Sequence, residues 1–334
     1  MSTPPPDDRH RDGHRDDGHG DDGHGDDGHG DDGPAPGGHH PGTDGALPLP
    51  LLRVDVGDGL TLPVHATPPS PTVAPGAAAD PVLCLHGFPG SWRSFDAVAV
   101  ELAGSGRRVL VPEQRGYTAS ARPGAVEAYR LERLVADAVA VLDAAGARRA
   151  TVVGHDWGAV VAWALAAARP ERVRDLVALS VPHPRAFAAG LAHDREQRVR
   201  SAYIGLLRRR GLAERVLLAG GARGLRAAFA RSGVPRDVVD AHLAPLSSPP
   251  ELAGALAWYR ALRPRDLASV GPVAVPTTYL WSDGDVAVAR GTASRCAEHV
   301  RGPYRGRTLR GVSHWVPEEQ PGAVVAAVLH PPTA

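Results

Sequence analysis

The stretch VVGHDWGAVVAWALA, residues 152–166, constrains this chain more than any other. A β-branched apolar run enters a pentapeptide flanked by Gly154 and Gly158, and an Ala-rich segment of helical spacing leaves it. That pattern is a strand turning tightly into a helix, with Asp156 presented at the centre of the elbow. Small residues on either side are what such a turn requires where backbone meets backbone.

Around this elbow, short apolar runs alternate with amphipathic helical patterns, which argues for a parallel sheet covered on both faces. LLRVDVGDGLTLPVHAT suggests an opening hairpin around Gly57–Gly59, PVLCLHG (81–87) a strand, SFDAVAVELAGSG a helix, RRVLVPEQRGY a strand and YRLERLVADAVAVLDAAG a helix. RATVVGH then forms the elbow strand, Trp157 to Ala168 its helix, and VRDLVALSVPHP the next strand. Residues 184–265 carry only helical patterns broken by Gly and Pro and read as an inserted helical cap. VPTTYLWSDGD (275–285) restores the strand pattern, and YRGRTLRGVSHW and QPGAVVAAVL close the chain as strand and helix. The fold class is therefore α/β, an α/β-hydrolase pattern with a mostly parallel central sheet flanked by helices. Core segments are expected at 49–183 and 266–334, with the cap at 184–265 between them. The turn after PVLCLHGFPG lacks the G-x-G-x-x-G of dinucleotide-binding folds.

Residues 1–48 read as a separate disordered tail. Its core, DDGHGDDGHGDDGHGDDG (16–33), repeats every five residues without one apolar side chain and cannot build a core. Seven His residues precede position 41 and, with the aspartates, offer weak chelation of a divalent metal. The overall charge is zero, yet residues 1–46 hold twelve Asp and three Arg, so a basic body follows an acidic tail. The basic residues, all Arg, are scattered along helical segments, so no nucleic-acid partner is expected. No apolar run reaches the roughly 18 residues of a membrane span. Cys84 and Cys296 lie far apart and form no disulfide framework, and MSTPPPDDRH lacks a signal pattern, so the expected location is cytoplasmic.

In an α/β-hydrolase pattern the catalytic residues occur in the chain order nucleophile, acid, His, which selects Asp156, Asp285 and His314. Asp285 is preferred to Asp283 because SDGD places it deeper in the loop after the strand TTYLWS. HGFPGSW (86–92) directly follows a strand, so the backbone N–H groups of Phe88 and Trp157 are the expected oxyanion hole. His155, one residue before the nucleophile, is expected to be structural and to face away. A carboxylate at the elbow points to a particular chemistry. Serine attacking a saturated carbon would leave an ether that water does not cleave, whereas aspartate leaves an ester that water can hydrolyse at its own carbonyl. The implied substrate carries an electrophilic sp³ carbon with a leaving group, chiefly an epoxide or an alkyl halide.

HGFPGSW, RGYTAS, GHDWG, WSDGD and GVSHW together resemble the epoxide hydrolase branch of the α/β-hydrolases, over roughly residues 50–332. That branch shares its Asp elbow with haloalkane dehalogenases. The resemblance implies two cap tyrosines that hold and protonate the ring oxygen. SAYIGLLRRRGLAE places the first at Tyr203, eight residues before Gly211, and LAWYRAL places the second at Tyr259. Phe88, Trp157, Tyr203 and Tyr259 are then also the substrate-binding residues. The chain departs from the usual pattern at LRRRG after Tyr203, at Ala257, at Ser282 before the acid and in PEQRGY, the first two of these in the cap. A dehalogenase would need two N–H donors around the halide; Trp157 supplies one, Phe88 has none in its side chain, and Trp258 is the remaining candidate. A non-catalytic ligand-binding protein of the same fold is a third reading. The expectation is a hydrolase that opens a small apolar epoxide with water, without cofactor or metal, as a monomer or homodimer.

Overall fold

The computed structural model describes residues 50–68 and 80–333, so the tail with its chelation motif lies outside the described residues. Strands β1 (Leu51–Asp55) and β2 (Thr61–Ala66) form the expected hairpin, with Gly57, Asp58 and Gly59 all at positive φ in its turn. The chain continues through β3 (Val82–Leu85), α1 (Asp96–Gly104), β4 (Val109–Pro112), α2 (Leu131–Ala144), β5 (Ala150–His155), α3 (Trp157–Ala168) and β6 (Val173–Leu179). Helices alone follow: α4 (Pro184–His193), α5 (Arg195–Arg200), α6 (Tyr203–Leu207), α7 (Leu212–Arg226), α8 (Arg236–Leu243), α9 (Pro249–Ala261) and α10 (Pro264–Ser269). The helical excursion thus runs four residues past 265, because Pro264 opens a further short helix before the sheet resumes. β7 (Thr277–Ser282), α11 (Arg290–Ser294), β8 (Tyr304–Leu309), α12 (Val316–Glu319) and α13 (Pro321–Leu329) complete the fold.

The eight strands lie in the order β1-β2-β4-β3-β5-β6-β7-β8, antiparallel at β1–β2 and β2–β4 and parallel at every other pair. The central strands are buried along their length, as a parallel sheet covered on both faces demands. Their side chains alternate between two apolar clusters. Leu83, Val152 and Leu176 join Leu142 of α2 and Trp163 of α3, while Cys84, Val153 and Val177 join Leu102 of α1 and Val325 of α13. The strand β8 (YRGRTL) is largely exposed at one edge of the sheet. Among the described residues no helix is long and apolar enough to cross a membrane.

Candidate active site

The elbow between β5 and α3 is built by close backbone approach. A Cβ on Gly158 would run into the carbonyl oxygens of Leu85 and His86, and one on Gly154 would run into the Gly158 carbonyl and Ala159 Cα. Asp156 sits between them at φ 52°, ψ −116°, a left-handed conformation that costs a non-glycine residue about 1–3 kcal/mol. The surrounding layers hold it there. Gly87 faces it so closely that a Cβ would overlap the Asp156 side chain, leaving room only for backbone.

Asp156 and His314 are nearly buried and Asp285 is 1% exposed. Asp156 Oδ1 accepts a hydrogen bond from the Phe88 N–H at 2.8 Å, and Oδ2 lies 3.5 Å from His314 Nε2. His314 Nδ1 donates to Asp285 Oδ2 at 2.9 Å. Asp285 Oδ1 accepts in turn from the Ala287 and Val288 N–H groups at 2.7 and 2.9 Å, which fixes the carboxylate. Asp283, the other carboxylate of SDGD, instead accepts from the Gly311 N–H at 2.8 Å in the loop before the histidine.

The electrostatics follow from this row of charges. Burial alone would lower the His314 imidazole, but Asp285 and Asp156 outweigh it and push it up to about 10. Burial favours protonated Asp156, yet the His314 hydrogen bond and charge hold its carboxyl below the usual range. At neutral pH the two form an imidazolium–carboxylate pair.

Tyr203, at the start of α6, and Tyr259, on α9, have ring centroids 6.5 Å apart, and Tyr259 meets the Trp157 and Phe88 rings edge-on at 4.9 and 5.5 Å. Two cavities meet here, and Asp156, Tyr203 and Tyr259 line both. Tyr203 is 43% exposed and forms wall in each, while its hydroxyl end is buried. The other walls are mainly apolar: Val160, Phe187 and Leu267 in one, Leu207, Leu217 and Trp315 in the other. Burial raises both phenols, aided at Tyr203 by Asp156 and Asp285 and at Tyr259 by Tyr203 and Asp156, so each stays a protonated donor. Trp258 does not join them. Its indole N–H donates to the Arg115 carbonyl at 2.8 Å, outside both cavities.

Several groups support the site in ways the sequence did not show. The His314 carbonyl accepts from Ser180 Oγ at 2.8 Å and from His155 Nε2 at 2.9 Å. His155 is thus outside the cavities, as expected, but it braces the histidine backbone rather than simply facing away. Ser282, which departs from the usual glycine, donates to the Ser313 carbonyl at 2.5 Å and ties the end of β7 to the loop that carries His314. Arg200 of α5 donates to the Asp285 carbonyl. Ser282 carried a signal as a departure from pattern and His155 as the neighbour of the elbow carboxylate; Ser180 and Arg200 depend on contacts between distant segments. Among the described residues no three His, Cys, Asp or Glu side chains gather as a metal-ligand set.

Comparison with known proteins agrees with this architecture. Residues 80–216 match the α/β-hydrolase fold family. The chain is 35% identical to epoxide hydrolase A of Mycobacterium tuberculosis, over 76% of this chain and 90% of that protein. It is 29% identical to epoxide hydrolase 4 of Mus musculus, over 75% and 73% of the two chains. The crystal structure of epoxide hydrolase A from Mycobacterium thermoresistibile superposes with a TM-score of 0.70 at 28% identity, covering 84% of this chain and 97% of that one. With the same fold and a relative matched over nearly its whole length, the chain belongs to the epoxide hydrolase-like family of α/β-hydrolases.

Proposed function

We propose that the protein opens epoxides to vicinal diols through a covalent ester on Asp156. The observation that carries this reading is the placement of the elbow carboxylate between a backbone donor and the His314–Asp285 pair, facing two neutral phenols across apolar cavities. Relatives that bear the name epoxide hydrolase support the same activity.

The geometry divides the labour of the carboxylate. Oδ1 already occupies the Phe88 N–H, the position an oxyanion needs later, so Oδ2 is the attacking atom. Its lone pair forms a bond to a ring carbon while the carbon–oxygen bond breaks, and Tyr203 or Tyr259 gives the developing alkoxide a proton. Esterification removes the negative charge of Asp156. His314 then keeps only Asp285 beside it, its affinity for a proton falls, and the proton it releases replaces the one the phenol gave. The resulting neutral imidazole takes a proton from water, and the hydroxide adds to the ester carbonyl with Oδ1 as the oxyanion, held by the Phe88 and Trp157 N–H groups. Collapse expels the diol, which takes the His314 proton, and the aspartic acid returns its own proton to the imidazole.

Two cavities meeting at the carboxylate suit an epoxide with an apolar substituent on each side of the ring. A halide-releasing reading finds less support, since the Trp258 indole is committed to Arg115 and Phe88 offers no side-chain donor. The test is intact-mass analysis of the His314→Gln variant after incubation with styrene oxide and, separately, 1-bromobutane. A styrene oxide adduct mapped to Asp156 is expected. A butyl adduct alone would move the assignment to dehalogenation, and rapid steady turnover by this variant would refute the role given to His314.

A further inference from the structure

A second chain of polar side chains lies buried outside both cavities. Ser91, in the loop that carries Phe88, has its Oγ 3.1 Å from Nδ1 of His242. His242 Nε2 is 3.3 Å from Glu318 Oε1. The His242 side chain is fully buried and that of Glu318 is 4% exposed. The three residues come from three parts of the fold: the oxyanion loop, helix α8 of the excursion, and helix α12, four residues after His314.

The surroundings tighten this junction. Phe229 stacks on Trp315 at 3.8 Å and on the His242 ring at 5.8 Å, and the Trp315 indole donates to the Ala228 carbonyl at 3.0 Å. Glu318 itself makes no well-aligned hydrogen bond. Both its oxygens, His242 Nε2, Ser94 Oγ and His155 Nδ1 are buried without one. Burial pushes the Glu318 carboxyl up, but His242, His155 and Ser94 outweigh it and leave it lowered and ionised. His155 is the same residue that braces the His314 carbonyl.

As a source of stability this arrangement is poor, because apolar side chains of the same volume commonly serve as well as buried polar and charged groups. What it does provide is registry between three segments. We propose that His242 and Glu318 are positioning residues for the water-attack step, locking the excursion across the two loops that hold the Phe88 N–H and His314. This rests on the two-step reading above. The lock bears most directly on ester hydrolysis, in which the Phe88 N–H holds the oxyanion and His314 activates water; in ester formation the same two groups only orient the Asp156 carboxylate and restore the phenol's proton, while the two phenols that donate lie outside it. Its loss therefore separates the two steps.

The experiment uses two variants of similar volume, Glu318→Gln and His242→Gln, with wild type and His314→Gln alongside. Ester formation and ester hydrolysis are followed separately by rapid quench and intact mass with styrene oxide, and thermal unfolding is recorded for each protein. The expected result is ester formation within about twofold of wild type and hydrolysis slowed roughly ten- to hundredfold, the scale of a small misplacement of catalytic groups. Adduct then accumulates during turnover in both variants. Hydrolysis at the wild-type rate, or equal slowing of both steps together with a lowered melting temperature, overturns the proposal and leaves a structural role only. Adduct in His314→Gln with none in Glu318→Gln refutes the positioning role alone, whereas no adduct in His314→Gln refutes the ester itself.

Discussion

Replacing Asp156 by Asn tests the charge coupling on which the two-step reading depends. The His314 imidazole stands at about 10 against an ordinary 6.5, although burial pulls it down. The combined upward pull of Asp285 and Asp156 therefore exceeds that whole rise. At a common dielectric the attraction falls as the inverse of distance, so Asp156 at 3.5 Å supplies a little under half, against Asp285 at 2.9 Å. Its share is on the order of a pH unit or more, and each pH unit corresponds to about 1.4 kcal/mol. Loss of a neighbouring negative charge disfavours the imidazolium, so Asp156→Asn moves the His314 titration down from about 10. The assay is a pH titration of imidazole nitrogens by NMR, with His314→Gln identifying the signal. Stability follows the same sign. Because the folded pKa is raised, the contribution of His314 is complete below about pH 6.5 and is lost as pH rises through about 10, and the variant loses less over that window. An Asn variant whose His314 still titrates near 10 would show that Asp285 alone sets the pKa, and that esterification does not release the base.

Two further outcomes follow from the phenols and the elbow. Tyr203→Phe and Tyr259→Phe should each slow ester formation about ten- to hundredfold and together nearly abolish it, with ester hydrolysis unchanged; single-turnover kinetics showing slowed hydrolysis instead would remove the phenols from the acid role. Gly158→Ala should destabilise the fold by about 3 kcal/mol or more in urea unfolding, because its Cβ would strike the Leu85 and His86 carbonyls, while Gly124→Ala, with open space around it, should change stability little.

The elbow was legible because its constraint is local: two glycines, a strand before and a helix after are all written within fifteen residues. Asp285 and His314 were picked out by their order and by the strands they follow, and of the two carboxylates in SDGD it is Asp285 that hydrogen-bonds His314. The phenols came from the chemistry of epoxide opening together with the resemblance, since nothing in the local pattern separates Tyr203 or Tyr259 from packing residues of a helix. Trp258 shows the limit. Its neighbour Tyr259 lines both cavities, but the indole turns to the Arg115 carbonyl, and that partner lies 143 residues away. The Ser91–His242–Glu318 chain was hidden for the same reason, because each residue alone reads as an ordinary polar position. The excursion's end shifted from 265 to Ser269 because a proline that breaks one helix also starts another well.

Both margins of the sheet end in water, and each carries charge there. At β8 the exposed Arg305 and Arg307 flank Gly306, and at β1 Arg53 and Asp55 are exposed beside Val54. A strand from another molecule laid along β8 would have to desolvate these guanidinium groups for the sake of a few backbone hydrogen bonds. An eight-stranded, largely parallel sheet forms slowly and shows its unpaired rims while it does so. The arginines on this edge strand therefore disfavour edge-to-edge pairing between copies of the chain wherever the rim is uncovered.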